Sequence, residues 1–326
     1  MTTFGIDVSK ATLDCLWLRD AQTRRIKTRV FKNTPAGHQA LVQWAVKQTR
    51  EAMESLHFVM EATGIYHEAL AQALYTAGAR VSVVNPAHIK QYAQSFGRRS
   101  KTDKRDSLMI ALYGATQQPR LWQPLAPEIR ALQALIARLE AVEKDIQREE
   151  NRLEKAELAS ATEAVADSIR SVLGHLRAER RRLIELIEEH IDRHPDLKAD
   201  RERLTSIPGV GPVIARYMTA LLRSHAFGSA SQAAAYLGLV PIHRESGSSV
   251  RARSRISKTG KASLRAKLYM AAVVAIQHNP DIQAQYQRLL RKGKSKMAAL
   301  VAAMRKLVHI CFGVVKHQTP YQVQTR

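Results

Sequence analysis

The sequence predicts an α/β domain joined to a longer, mostly helical remainder, and three observations predict it. The first 84 residues alternate short apolar, β-branched runs with helical patterns. Between residues 129 and 191, apolar side chains recur at spacings of three and four, flanked by charge. From residue 197 onward the pattern stays helical while lysine and arginine accumulate.

Taken in order, Thr3–Val8, Thr12–Leu18 and Arg25–Phe31 read as three strands in a meander, with a polar turn at Arg19-Asp20-Ala21-Gln22. Asn33-Thr34-Pro35 punctuates the chain, and Gly37–Thr49 carries a helical pattern through Leu41, Trp44 and Ala45. Phe58–Met60 reads as a fourth strand and Tyr66–Ala77 as a helix closed by Gly78. Arg80–Val84 is a fifth strand that ends at Asn85-Pro86. Three strands, helix, strand, helix, strand is the order of ribonuclease-H-like domains, so a mixed sheet flanked by helices is expected. A further helix runs from about Lys104 to Gln117, with Leu108, Ile110, Ala111 and Leu112 facing inward.

Pro119, Pro124 and Pro127 mark a boundary. Beyond it the apolar spacing, interrupted at Ala159-Ser160-Ala161-Thr162, predicts two long helices forming an antiparallel hairpin or coiled coil that ends at His194-Pro195. In the basic remainder, Ser206-Ile207-Pro208-Gly209-Val210-Gly211-Pro212 between two apolar helices resembles a helix-hairpin-helix. Its glycines would bring backbone N–H groups close to a DNA phosphate. The alternative is a structural turn. The expected domains are 1–124 (α/β), 125–196 (helical arm) and 197–326 (helical C-terminal domain).

Composition narrows the partner. The 51 Lys+Arg exceed the 29 Asp+Glu, giving a net charge of +22, which favours a polyanion and above all a nucleic acid. A membrane is not expected, because no apolar run reaches the roughly 20 residues needed to span one. Met1-Thr2-Thr3 leads directly into the first strand, so no signal peptide is expected and a reducing cytoplasm fits. Cys15 and Cys311 are far apart and lack metal-type spacing; Cys15 alternates with Leu13 and Trp17 as a core residue would.

Within this basic chain, four carboxylates come from three segments. Asp7 ends the first strand, Glu61 ends the fourth, and Asp103 and Asp106 lie three apart where a helix begins. Magnesium takes hard oxygen ligands and keeps several waters, so one or two ions need only a few carboxylates plus substrate phosphate. Two ions can activate an attacking oxygen and stabilise a leaving one. The plainer alternative for Asp103 and Asp106 is favourable charge in a helix's first turn. Around them, Arg98, Arg99, Lys101, Lys104 and Arg105 offset the repulsion between carboxylates and DNA. Farther on, the polar loop Glu245-Ser246-Gly247-Ser248-Ser249 precedes Arg251, Arg253, Arg255, Lys258, Lys261, Arg265 and Lys267. Ser246 is either part of a linker contacting phosphate or a nucleophile for a phosphodiester, with arginines stabilising the transition state. There is no P-loop, which speaks against an ATPase. A non-catalytic nucleic-acid scaffold and a metal-dependent endonuclease using activated water remain as other readings.

Taken together, GIDVSK (5–10), MEATGIY (60–66), VVNP (83–86), KTDKRDS (101–107), SIPGVGP (206–212), GLVP (238–241), ESGSSVRARSRISKTG (245–260) and MRKL (304–307) resemble one family. It comprises the bacterial insertion-sequence transposases with a RuvC-like DEDD domain, also known as bridge-RNA-guided recombinases and related to the pilin-gene invertases. The resemblance implies that Asp7, Glu61, Asp103 and Asp106 form a tetrad holding Mg2+, two ions per site. It implies that Ser246 attacks DNA to give a transient phosphoserine link, with Ser248 and Ser249 as alternatives. It also implies donor and target DNA, a structured non-coding guide RNA, and a homo-oligomer in which dimers assemble to tetramers with composite active sites.

Overall fold

A computed structural model describes residues 2–326 except 63, 97–102, 160–161, 243–244, 247–249, 252–254, 258–259 and 324–326; side chains are also left undescribed at 103–105, 245–246, 250–251 and 255. Two compact units divide the chain, Met1–Pro124 and Leu125–Arg326.

The first unit runs β1 (Thr2–Val8), β2 (Thr12–Asp20), β3 (Arg25–Lys32), α1 (Pro35–Thr49), β4 (Leu56–Glu61), α2 (Glu68–Thr76), β5 (Arg80–Val84), α3 (Pro86–Ser95) and α4 (Asp103–Gln117). Its sheet has the order β3-β2-β1-β4-β5. The first three strands are antiparallel, and β4 and β5 join parallel to β1. This is the mixed sheet that the element order predicts. One element was not anticipated. Asn85-Pro86 does more than end β5: the Asn85 side chain accepts from the Ala87 N–H and Pro86 sits in the first turn, so helix α3 starts there.

Strand alternation sorts the side chains onto two faces. Phe4, Ile6, Leu13, Phe58 and Met60 are buried with Leu41 and Trp44 of α1 and Leu70 and Leu74 of α2. The Phe4 and Phe58 rings stack with centroids 4.7 Å apart. On the other face Leu16 and Val59 meet Met109, Ile110 and Ala111 of α4 and Ile89 of α3. Each large apolar side chain so buried contributes about 1.5–3 kcal/mol. Cys15 is buried, as its alternation predicts.

The second unit opens with α5 (Pro127–Leu158) and α6 (Glu163–Arg193). The apolar seam pairs Leu132, Ile136, Leu139 and Val142 with Leu183, Ile187 and Ile191. Ion pairs Arg170–Glu157, Arg177–Glu150 and Arg180–Glu143 run in opposite directions along the two helices, so the arm is an antiparallel hairpin. Next come α7 (Pro195–Thr205), α8 (Pro212–Ser224) and α9 (Ala230–Tyr236). Arg216 on α8 donates to Glu188 on α6 at 2.8 Å, and Arg201 on α7 bridges Glu188 and Asp192, fixing the arm's base to both helices.

The stretch read as a polar loop contains short paired strands instead: β6 (Pro241–Ile242), β7 (Glu245–Ser246), β8 (Val250–Arg251) and β9 (Arg255–Ile256). β6 pairs with β9 and β7 with β8, all antiparallel. The unit closes with α10 (Ala262–His278), α11 (Pro280–Arg291) and α12 (Lys296–His317). By length and composition α12 is apolar enough to cross a membrane, contrary to the expectation that no such run exists. Its Ala303, Met304, Leu307, Val308 and Cys311 instead fill the core of this unit.

Candidate active site

Parallel pairing sets the first two carboxylates side by side. Gly5 pairs with Val59 and Ile6 with Met60, so Asp7 and Glu61 are the next residues on neighbouring strands, both half-buried. Alternation puts Asp7 on Gly5's face of the sheet and Glu61 on Val59's face. That is the face α4 covers: a Cβ on Gly5 would meet the Ser107 carbonyl oxygen and Ala111, and one on Gly114 would meet Val59 and Thr3. The helix therefore runs opposite to β1 and begins at the sheet edge where Asp7 and Glu61 stand. Asp106, half-buried, immediately precedes Ser107 on this first turn. Asp103 is the first residue of α4, and its side chain lies outside the described residues.

The donors at this edge are carboxylates, the ligand chemistry that suits magnesium. Among the described residues, no group of three or more His, Cys, Asp or Glu side chains is gathered tightly enough to hold a metal ion.

Two neighbours of these carboxylates escape a reading by motif. Asp14 is the direct cross-strand partner of Asp7, on the same face of the sheet. Like charges so opposed destabilise one another unless a cation intervenes. Asn33 is the second. Its amide donates to the carbonyls of Ser9 (2.9 Å) and Tyr66 (3.0 Å), the turns that follow Asp7 and Glu61 respectively. Its oxygen therefore accepts from Nε2 of buried His38 at 2.8 Å, and burial holds the His38 pKa below its usual value. No motif flags Asn33, since the sequence reads it only as punctuation.

Ser246 lies in β7, paired with Val250, beside the undescribed residues 247–249. Of the anticipated nucleic-acid contacts, Arg98, Arg99, Lys101, Arg253 and Lys258 lie outside the described residues, and Lys104, Arg251 and Arg255 are described in backbone only. Lys261 is exposed at the start of α10. Two members of the same basic series have internal partners. Lys267 pairs with Glu143 at 2.8 Å and lies over the Tyr217 ring, and Arg265 donates to the carbonyls of Leu237 and Gly260. In the 206–212 turn, Gly209 has φ +95° and an added Cβ would lie 2.6 Å from that of Ala275, so packing against α10 requires this glycine. Gly211 faces open space.

Family comparisons find transposases and a pilin gene-inverting protein. Residues 4–158 match the DEDD-type IS110 transposase family, and residues 201–287 match the transposase IS116/IS110/IS902 family. A pilin gene-inverting protein of Moraxella bovis is 33% identical over 98% of this chain and 97% of its own length. The transposase for insertion sequence element IS1111A of Coxiella burnetii is 25% identical over 98% of this chain and 90% of its own. Among solved structures, Thermus thermophilus RuvC in complex with a Holliday junction substrate aligns with 37% of this chain and 99% of its own at 17% identity and a TM-score of 0.29.

Proposed function

We propose, from the premise that this chain belongs to the DEDD-type IS110/IS116 transposase family with the pilin gene-inverting proteins among its relatives, that it cuts, exchanges and rejoins DNA strands through a serine–DNA intermediate. Membership of this family supports a DNA-cleaving and DNA-recombining enzyme. Asp7, Glu61, Asp103 and Asp106 would hold Mg2+, two ions per site. When bound, the metal would supply electrostatic stabilisation of charge developing on phosphate oxygens. The Ser246 hydroxyl attacks the phosphorus of a DNA phosphodiester. A serine–phosphate ester forms as the bond to one deoxyribose oxygen breaks, and that oxygen takes up a proton. Attack by another strand's hydroxyl reverses the step, returning the proton to Ser246, so strands rejoin without net hydrolysis. Arg251, Arg253, Arg255, Lys258 and Lys261 would contact nucleic acid near the serine, and Arg98, Arg99, Lys101 and Lys104 would do so near the carboxylates. A structured guide RNA pairing with donor and target DNA, and dimers assembling to tetramers, complete the proposal.

The observation that carries this reading is that Asp7 and Glu61 end adjacent parallel strands on the face where α4 begins with Asp103 and Asp106. The same observation favours a second reading, a metal-dependent endonuclease that uses activated water. A denaturing gel separates them, run with magnesium, the RNA encoded beside the gene and matching DNA. A covalent protein–DNA adduct in the wild type that is absent from Ser246→Ala supports recombination. DNA cut without an adduct in either protein establishes the nuclease. Chelating the magnesium abolishes cutting under both readings.

A further inference from the structure

A groove of about 700 Å³ in the second unit lies along one stripe of α12 and under the segment that follows it. Lys306, His309, Gly313, Lys316 and His317, at helical spacing, line one side, and Asp281 stands among the other lining residues. The charge balance is cationic. The Asp281 carboxylate already accepts the Tyr321 hydroxyl at 2.7 Å, while neither lysine has an ion pair among the described residues. Lys316 is set over the Phe312 ring at 5.6 Å, which orders its stem. The Nε2 of His309 is buried with no hydrogen-bond partner among the described residues.

Gly313 lines the same groove. It sits inside a helix of 22 residues, where glycine is unfavourable relative to alanine. A Cβ there would meet nothing within 4 Å, so packing within the described chain does not require glycine. What the missing side chain leaves is room for something outside the chain to approach the helix backbone, between two lysines.

We propose that this groove is a binding site for the phosphodiester backbone of a nucleic acid, with Lys306 and Lys316 contacting phosphates and Gly313 admitting the strand against α12. The site rests on the reading that the chain handles nucleic acid, and its lining shares no residue with the carboxylate set or with the 245–261 segment. RNA and duplex DNA share the chemistry it recognises, so the test uses both.

The test measures binding of the full-length protein to a labelled single-stranded RNA and, separately, to a duplex DNA, across a salt series. The variants are the Lys306→Gln/Lys316→Gln double substitution and Gly313→Leu, with thermal melts to verify folding. Leucine favours the helix, so Gly313→Leu fills the groove without unfolding it. For the nucleic acid that occupies the site, the double substitution is expected to weaken low-salt binding on the order of tenfold or more and to lower the log–log salt slope by about one to two. Gly313→Leu is expected to weaken the same complex. Unchanged affinity in Gly313→Leu for both nucleic acids overturns the inference, even where the lysine variant binds less well, because long-range charge alone would explain that loss. A wild type that binds neither nucleic acid overturns this site and the proposed function together, whereas binding that the groove variants leave intact overturns only the site.

Discussion

Gly5 and Ser107 touch backbone to backbone: a Cβ added at Gly5 would lie 2.1 Å from the Ser107 carbonyl oxygen and 2.5 Å from the Ala111 nitrogen. No side chain separates β1 from α4 at this point, two residues before Asp7 and one after Asp106. The contact sets how closely the helix start approaches the strand ends.

Gly5→Ala is therefore expected to lever α4 away from the sheet. Overpacking of this kind costs about 1–3 kcal/mol, read as a lower urea midpoint. DNA cutting should fall much further than stability does, because the displacement moves Asp103 and Asp106 relative to Asp7. Cutting that declines only in step with the folded fraction would mean that helix distance is not what the site needs.

Asn33 makes a subtler case. One amide ties the turn after Asp7 to the turn after Glu61 and is itself held by His38. Asn33→Ala removes three hydrogen bonds at a half-buried position, for a stability loss of about 1–2 kcal/mol. Loosened outer contacts typically cost a metal site about 10–100-fold in affinity or activity. The expected result is a higher magnesium concentration for half-maximal cutting, restored in part by Asn33→Gln, which keeps an amide donor, and not by Asn33→Asp, which lacks one. An unchanged magnesium requirement would reduce Asn33 to a structural role.

What the sequence made legible follows from which interactions are local. The apolar runs of β1 and β4, the alternation in β2 and the three-and-four spacing of α5 and α6 are written residue by residue, and all appear as expected. Helix α3 was equally local, in the Asn85 cap and Pro86, but those residues double as turn formers and were read that way. The paired strands β6 to β9 are two residues each, too short for a period to register. At the site, Asp7 and Glu61 announce themselves by ending apolar runs. Asp14, Asn33 and the Gly5–Ser107 contact depend on pairing across 7, 24 and 102 positions of chain and have no local signature. The roles of Lys267 and Arg265 were hidden for the same reason: an internal partner is invisible in a run of positive charge.

Asp200 carries a stability prediction for the second unit. Its carboxylate is wholly buried, 2.5 Å from Arg223 of α8 and 3.3 Å from Arg203, and it also accepts from Gln318 after α12. Leaving a dry charge without its partner costs about 3–5 kcal/mol, and the loss here lies below that range because Arg203 and Arg223 keep some contact with water. Asp200→Ala should show this loss in chemical denaturation, and Arg203→Ala, which removes the longer contact and leaves Arg223 on the carboxylate, much less. Equal losses would mean that Arg203 rather than Arg223 anchors the carboxylate.

The first unit should weaken in mild acid through His57. Ser82 Oγ donates to the Pro119 carbonyl at 3.1 Å, so at 2.8 Å it accepts from His57 Nε2, which fixes the neutral tautomer with its proton on Nε2. Burial, helped by the cation of Arg80 on the paired strand, lowers the His57 pKa from 6.5 to about 4. Between these values the unfolded chain binds a proton that the folded one refuses, so stability rises with pH across that window. It is fully present above about pH 6.5 and is lost as pH falls toward 4, by up to about 3 kcal/mol. His57→Gln removes the titrating group while keeping a donor for Ser82. Urea midpoints at pH 7 and pH 5 should differ less in this variant than in the wild type, whereas the same drop in both would assign the acid sensitivity to other groups.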